Sequence, residues 1–279
     1  MMLQRAALVG VGLLAASCSS SVGPGEPAEG VAVNGAVELS YVVDFPEGDG
    51  PFPTVVYGPG SGDVGADASS VLEHARQLVA LGYAVVRYDK RGVGESSGEI
   101  LNLSTANSES VVPDLAGDML AVAREAATLP RVDGSRLALF GASQANWYLP
   151  LVAAELSSVR WMVILTGGLL PVGPKNEWER LVFVEGRDPF AQATLDEWSL
   201  YAGPIGFDQR PVLRSLDLPM LYLLGERDPG VPLTPMLGEA DALRGDGVNL
   251  TVETFPDGVH LLDGIDFWDV LSAWLGEQT

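Results

Sequence analysis

From Thr54 onward, short apolar runs of strand character alternate with longer stretches of helical spacing, and this alternation leaves few architectures open. Thr54-Val55-Val56-Tyr57 is halted by Gly58-Pro59-Gly60-Ser61-Gly62 and followed by a helical stretch over 68–81. Tyr83-Ala84-Val85-Val86-Arg87-Tyr88 leads through a Gly-rich turn to a helix over 112–129, and Arg136-Leu137-Ala138-Leu139-Phe140 leads to a helix over 144–155. Trp161 to Leu165, Met220 to Leu224 and Val248 to Phe255 read as further strands, with Val37 to Phe45 as an earlier one and a closing helix over 267–275. Runs without polar alternation suit strands buried on both faces, which demands helices on both sides of a mainly parallel, doubly wound sheet. The stretch 31–279 is of a size that one such α/β domain reaches, and at 47% hydrophobic residues the chain can fill its core.

Between Gly167 and Asp217 the alternation lapses. The stretch carries Trp178, Phe183, Phe190, Trp198, Tyr201 and Phe207 among arginines, and 168–217 is expected to form a small cap inserted over the carboxyl edge of the sheet. At the other end of the chain, Arg5 precedes an apolar run, Ala6 to Ala16, that is too short to span a bilayer. The run ends in Leu14-Ala15-Ala16-Ser17-Cys18, which resembles a bacterial lipobox. Residues 1–18 are therefore expected to be a lipoprotein signal segment with Cys18 as the lipidated residue, an ordinary cleaved secretory signal being the alternative. Cys18 is the only cysteine and has no partner for an intramolecular disulfide. Residues 19–30, rich in Ser, Gly, Pro and Glu, suit a flexible tether. The expected location is extracytoplasmic and membrane-anchored, or secreted. A formal net charge of −21 argues against nucleic acid as a partner.

Chemistry is constrained by scarcity: the chain has two histidines, His74 and His260. Ser143 sits in Gly141-Ala142-Ser143-Gln144-Ala145, at the junction of an expected strand and helix, where flanking small residues permit a strained turn. A serine hydroxyl is a poor nucleophile near neutral pH and needs an imidazole to take its proton. His260, in the loop after the last strand, is the expected base. His74 precedes the turn by many residues, lies in a helical stretch and reads as a surface residue. Asp228 follows Leu221-Tyr222-Leu223-Leu224 and is expected to hold the second nitrogen of His260; Glu226 and Asp217 compete, but Asp228 is favoured by its place at a strand end before Pro229-Gly230-Val231-Pro232. Donors for a developing oxyanion are expected from the backbone N–H of Gln144, directly after the serine, and of Ser61 in the Gly-rich loop.

Other motifs fall away. The Gly58–Gly62 loop lacks the Lys-Ser or Lys-Thr pair of a phosphate loop, and in Gly92-Val93-Gly94 with Gly98 the third glycine is one place too far for a dinucleotide fingerprint. Asp89 and Arg91 are expected to shape their loop, not to react. One cysteine and two distant histidines give no metal cluster, and no cofactor is expected.

Three stretches, Gly58 to Asp63, Arg87 to Ser96 and Gly141 to Pro150, together resemble the α/β-hydrolase superfamily, and within it the serine esterases and peptidases of the prolyl-aminopeptidase-like (S33) branch, over nearly all of residues 37–276. Two departures from the family pattern stand in the third stretch: Ala145 replaces a flanking glycine, and relatives usually have a second glycine at the position of Asn146 or its neighbour. The resemblance implies an α/β-hydrolase fold with a small cap and a Ser143, Asp228, His260 triad that forms an acyl-enzyme. The expected substrates are carboxylic esters of modest size. Two alternatives stay open: a serine aminopeptidase-like action on short peptides, with Glu177, Glu179, Glu185 or Asp188 holding a free amine, and a catalytically silent surface binding module. The oligomeric state is not legible.

Overall fold

The computed structural model describes residues 25–278, so Cys18 and the greater part of the expected signal segment and tether lie outside the described residues. Along the chain the strands are β1 (Ala28–Asn34), β2 (Val37–Asp44), β3 (Phe52–Gly58), β4 (Ala84–Tyr88), β5 (Val132–Ala142), β6 (Val159–Leu165), β7 (Met220–Gly225) and β8 (Leu250–Phe255). They form one sheet in the order β1-β2-β4-β3-β5-β6-β7-β8. β1 pairs antiparallel with β2 and β2 with β4, while all other neighbours are parallel. β1 begins at Ala28, inside the stretch expected to be tether. Its apolar positions are few and small, with Ala28 and Ala32 buried and Val31 and Val33 exposed, so nothing in its composition marks a strand. What orders it is backbone pairing with β2 across the tight turn at Gly35, whose φ of +61° suits glycine.

Helices cover both faces. α1 (Ser69–Ala80) and α8 (Trp268–Glu277) pack on one side, where Val71, Leu78, Leu271 and Trp274 meet Val55, Val85 and Phe140. On the other side α2 (Ser108–Ala126), α3 (Ala145–Glu155) and α7 (Leu233–Gly245) cover Val56, Val86, Leu139 and Ile164. The central strands of the parallel region alternate between these two cores residue by residue, which is why their buried runs are mostly apolar.

The segment expected as a cap contains α4 (Val172–Glu179), a π-helical turn at Arg180–Val184, α5 (Gln192–Ser199) and α6 (Arg210–Ser215). Trp178 is fully buried and meets Trp198 edge to face at 6.4 Å. Both indole N–H groups are satisfied by carbonyls that bind the segment to itself and to the body: Trp178 Nε1 donates to Pro229 O at 2.9 Å and Trp198 Nε1 to Pro174 O at 2.8 Å. Phe183 and Phe190 remain largely exposed.

One expectation is overturned. His74 is not a surface residue: it is 6% exposed, because the buried face of α1 runs through Val71, His74, Ala75 and Leu78, the i, i+3, i+4, i+7 stripe of an amphipathic helix. Its ring lies among Tyr57, Phe140, Phe267 and Trp268, with Nδ1 2.9 Å from the Tyr57 hydroxyl. With the ring neutral and its proton on Nε2, the hydroxyl donates to Nδ1. Burial lowers the His74 pKa to about 4, against the opposing pull of Glu73 and Asp263.

This site makes stability fall in acid. Above the ordinary histidine pKa the ring is neutral in both the folded and the unfolded chain and contributes no pH dependence. As pH falls from about 6.5 toward 4, the unfolded chain takes up a proton that the folded ring refuses, and a gap of this size costs about 3 kcal/mol once complete. His74→Gln, whose amide can still meet the Tyr57 hydroxyl, is expected to lose about 2–3 kcal/mol less than wild type between pH 7.5 and 4.5 in urea unfolding. Equal losses in the two proteins would show that His74 is not the acid-sensitive group.

Candidate active site

β5 ends at Ala142 and α3 starts at Ala145, leaving two residues to reverse the chain. Ser143 makes the reversal at a φ of +51°, a backbone region that side chains other than glycine seldom occupy. Its N–H donates to Leu165 O on β6 at 2.9 Å, and its carbonyl accepts from the Asn146 backbone at 3.1 Å and from Asn146 Nδ2 at 2.7 Å. These bonds over-determine the turn and hold its strain.

The two departures from the family pattern have local compensations. A β-carbon on Gly141 would lie 2.6 Å from the Ala145 methyl, and one on Gly58 would lie 3.3 Å from it, so the extra methyl occupies space that two glycines on adjacent strands leave free. Asn146 is admitted in the same way by Gly167, where a β-carbon would come within 2.6 Å of Asn146 Cβ and 2.4 Å of Ile164 Cγ2. In return the Asn146 amide braces the elbow.

Asp228 and His260 meet because two loops touch. Gly225 at the end of β7 and Gly258 after β8 approach so closely that a β-carbon on Gly225 would lie 2.3 Å from Gly258 O. Arg227 N–H also donates to that carbonyl at 2.8 Å. Asp228, 2% exposed, accepts from Gly230 N–H through Oδ1 at 2.8 Å and lies 2.7 Å from His260 Nδ1 through Oδ2. A proton on Nδ1 donated to this carboxylate leaves Nε2 as the free acceptor. Glu226, the competitor, accepts instead from Thr254 Oγ1 at 2.8 Å, and Asp217 lines a separate surface hollow beside Leu156. His260 opens a single 3-10 turn in which Leu261 and Leu262 have φ of +62° and +55°; Leu261 N–H donates to Thr166 Oγ1 at 3.3 Å, and Thr166 is itself at +49°. Strained backbone thus gathers around this one edge of the sheet.

Ser143, Asp228, His260, Ser61 and Gln144, five residues separated by up to two hundred positions in the chain, line one cavity of about 510 Å³. Ser143 and His260 share its wall, and no hydrogen bond joins them among the described residues. The Gly58–Gly62 loop passes over the serine: a β-carbon on Gly60 would lie 3.7 Å from Ser143 Cβ. The cavity is completed by Lys175, Asn176, Glu179 and Phe183 from the cap segment. Sequence reasoning passed over Lys175 and Asn176 because nothing in a lapse of alternation says which side chains turn inward. Of the four acids considered for holding an amine, only Glu179 reaches the cavity, and Lys175 Nζ lies 2.5 Å from its carboxylate. Glu177 and Glu185 are paired with Arg180, which keeps the Glu177 carboxyl below its usual range, and Asp188 accepts from Phe190 N–H.

Asp89 and Arg91 shape their loop as expected. Asp89 accepts from Ala66 N–H at 2.7 Å and Glu95 N–H at 3.0 Å, and Arg91 grips Asp118 at 2.6 Å through both Nε and Nη2. Among the described residues no cluster of three or more metal-ligating side chains occurs, and no helix is long and apolar enough to cross a membrane.

No protein-family profile matches the chain. A protein named Probable dipeptidyl-aminopeptidase B, from Grosmannia clavigera, is 29% identical over 256 residues, 86% of this chain; the chain spans only 25% of that relative's length. Among solved structures, a 2,6-dihydroxy-pseudo-oxynicotine hydrolase superposes with a TM-score of 0.65 at 20% identity, covering 90% of this chain and 67% of the other. An esterase of Pyrococcus furiosus gives 0.66 at 16%, covering 91% and 90%, and a dienelactone hydrolase of Anabaena variabilis gives 0.61 at 17%, covering 90% and 96%. With β2 alone running against the other strands near one edge of the sheet and helices on both faces, the chain has the α/β-hydrolase fold.

Proposed function

We infer that this chain is a serine hydrolase that cleaves carboxylic esters of modest size through an acyl-enzyme. The observation that carries the reading is the strained elbow at Ser143 opening onto the same cavity as a buried carboxylate and its imidazole, 2.7 Å apart. In the proposed reaction Ser143 Oγ attacks the ester carbonyl carbon as its proton passes to His260 Nε2, and the carbonyl oxygen takes the negative charge between the N–H groups of Ser61 and Gln144. Collapse expels the alcohol, which takes the proton back from His260. Water then repeats the sequence on the acyl-enzyme, with His260 as base, and releases the acid. Asp228 holds the Nδ1 tautomer and stabilises the imidazolium formed in each half.

A second reading, cleavage of short peptides as in the S33 branch, draws on Glu179 at the cavity wall and on the dipeptidyl-aminopeptidase relative. Glu179 is already neutralised by Lys175, so an incoming ammonium would have to displace that lysine. The esterase reading is favoured for that reason. A panel of p-nitrophenyl esters of two to twelve carbons, set beside aminoacyl and dipeptidyl p-nitroanilides, decides between them. Short and medium esters are expected to turn over with kcat/KM at least a hundredfold above any anilide; the reverse order would favour the peptidase, and no turnover of either class, with no fluorophosphonate labelling, would favour a silent binding module.

A further inference from the structure

The Gly58–Gly62 loop turns its carbonyls into the protein. Pro59 O accepts from the Tyr148 hydroxyl at 2.6 Å, and Gly60 O and Gly62 O accept from Lys90 Nζ at 2.8 and 3.1 Å. Lys90 makes its third bond to Gln144 Oε1 at 3.1 Å and is 2% exposed. All three acceptors are neutral. A cation buried without a carboxylate in contact is costly, and a lysine serving only to fill space would be better replaced by an apolar side chain.

The placement has a directional consequence. Gly60 O and Ser61 N–H belong to one peptide unit, and in a trans peptide they point in opposite directions. An ammonium holding the carbonyl on the protein side therefore aims Ser61 N–H at the cavity, where the carbonyl oxygen of a substrate would sit. The same ammonium holds the side chain of Gln144, the residue that supplies the second donor. The Ser61 and Gln144 N–H groups donate to no other group among the described residues. We propose that Lys90 is a positioning residue that ties both oxyanion donors to one cation, aiming them and polarising the Gly60-Ser61 peptide toward the developing charge. This rests on the reading of Ser143 as the nucleophile.

Few charges face Lys90. Asp63 on the glycine loop favours its protonated form; Asp89 and Arg91, its chain neighbours, are committed to backbone N–H groups and to Asp118; Tyr148, from the first turn of α3, keeps its proton well into alkali. Burial dominates and lowers the Lys90 pKa to about 8. Below that pH the ammonium fills all three acceptors; above it the neutral amine has one fewer proton and no charge.

The test measures kcat and KM for an ester from pH 6 to 10 in wild type, Lys90→Met and Lys90→Arg, with melting temperatures and fluorophosphonate labelling of each. Wild-type kcat is expected to descend with a midpoint near pH 8. Lys90→Met is expected to lose about 10- to 100-fold in kcat with KM little changed, because the oxyanion exists only beyond the ground state, and to lose the descending limb. Lys90→Arg keeps the charge and should shift the limb beyond the range. A wild-type kcat that stays level to pH 10 overturns the proposal and needs no variant to fold. So does a folded Lys90→Met that keeps kcat within threefold or retains the limb. If wild type fails to label at Ser143 at all, the nucleophile assignment has failed instead, and the two failures are distinguishable.

Discussion

Ser143→Ala is expected to abolish ester hydrolysis, with kcat falling on the order of 10⁴- to 10⁶-fold, and to end covalent labelling by a fluorophosphonate. The fold should be untouched. The backbone at this position is held at a φ of +51° by bonds to Leu165 and Asn146 that do not involve the hydroxyl, so alanine inherits both the strain and the bonds that contain it. Ser143→Gly sharpens the test. Glycine occupies positive φ without steric cost, so this variant should be as inactive as alanine yet more stable than it by roughly 1 kcal/mol. Measuring labelling by intact mass and stability by urea unfolding checks both parts. Continued labelling of a folded Ser143→Ala would remove this serine from the chemistry; a glycine variant less stable than alanine would contradict the elbow geometry.

The two histidines should separate completely. His260→Gln removes the group bonded to Asp228 in the cavity and is expected to lose about 10⁴-fold or more in kcat/KM, with no effect on the buried cluster around His74. His74→Gln should keep the wild-type rate per folded molecule, because its ring packs between α1 and the sheet among Tyr57, Phe140 and Phe267, away from the cavity wall. The same variant should lose part of the acid sensitivity of stability, which separates loss of catalysis from unfolding in acid. A dead His74→Gln beside an active His260→Gln would reverse the assignment of the base.

Much of this could be read along the chain, and the misreadings have specific causes. The central parallel strands were legible because both faces are buried and their runs are mostly apolar. β1 was not, because its order comes from partners on β2 and its own side chains bury little. The polarity of His74 points to the surface, while its helical spacing from Val71 and Leu78 places it on the buried stripe, and position on the stripe prevails. Asp228 was favoured over Glu226 by its place at a strand end; the reason the choice is sterically possible, the near contact of Gly225 and Gly258, joins residues from different loops and has no signature in either.

The amino-acid sequence by itself determined the alternation of parallel strands with helices and the doubly wound sheet, and it put forward Ser143, Asp228 and His260 as the candidate site, since periodicity, turn chemistry and scarcity of histidine are properties of the chain taken in order. Tertiary structure alone decided what surrounds them. Gly167 makes room for Asn146, Glu179 is neutralised by Lys175, and the Lys90 ammonium is enclosed by two carbonyls and the Gln144 amide. Each of these depends on distances across loops that no local propensity encodes, and on burial, which turns an ordinary lysine on a surface into a cation that its neighbours must satisfy.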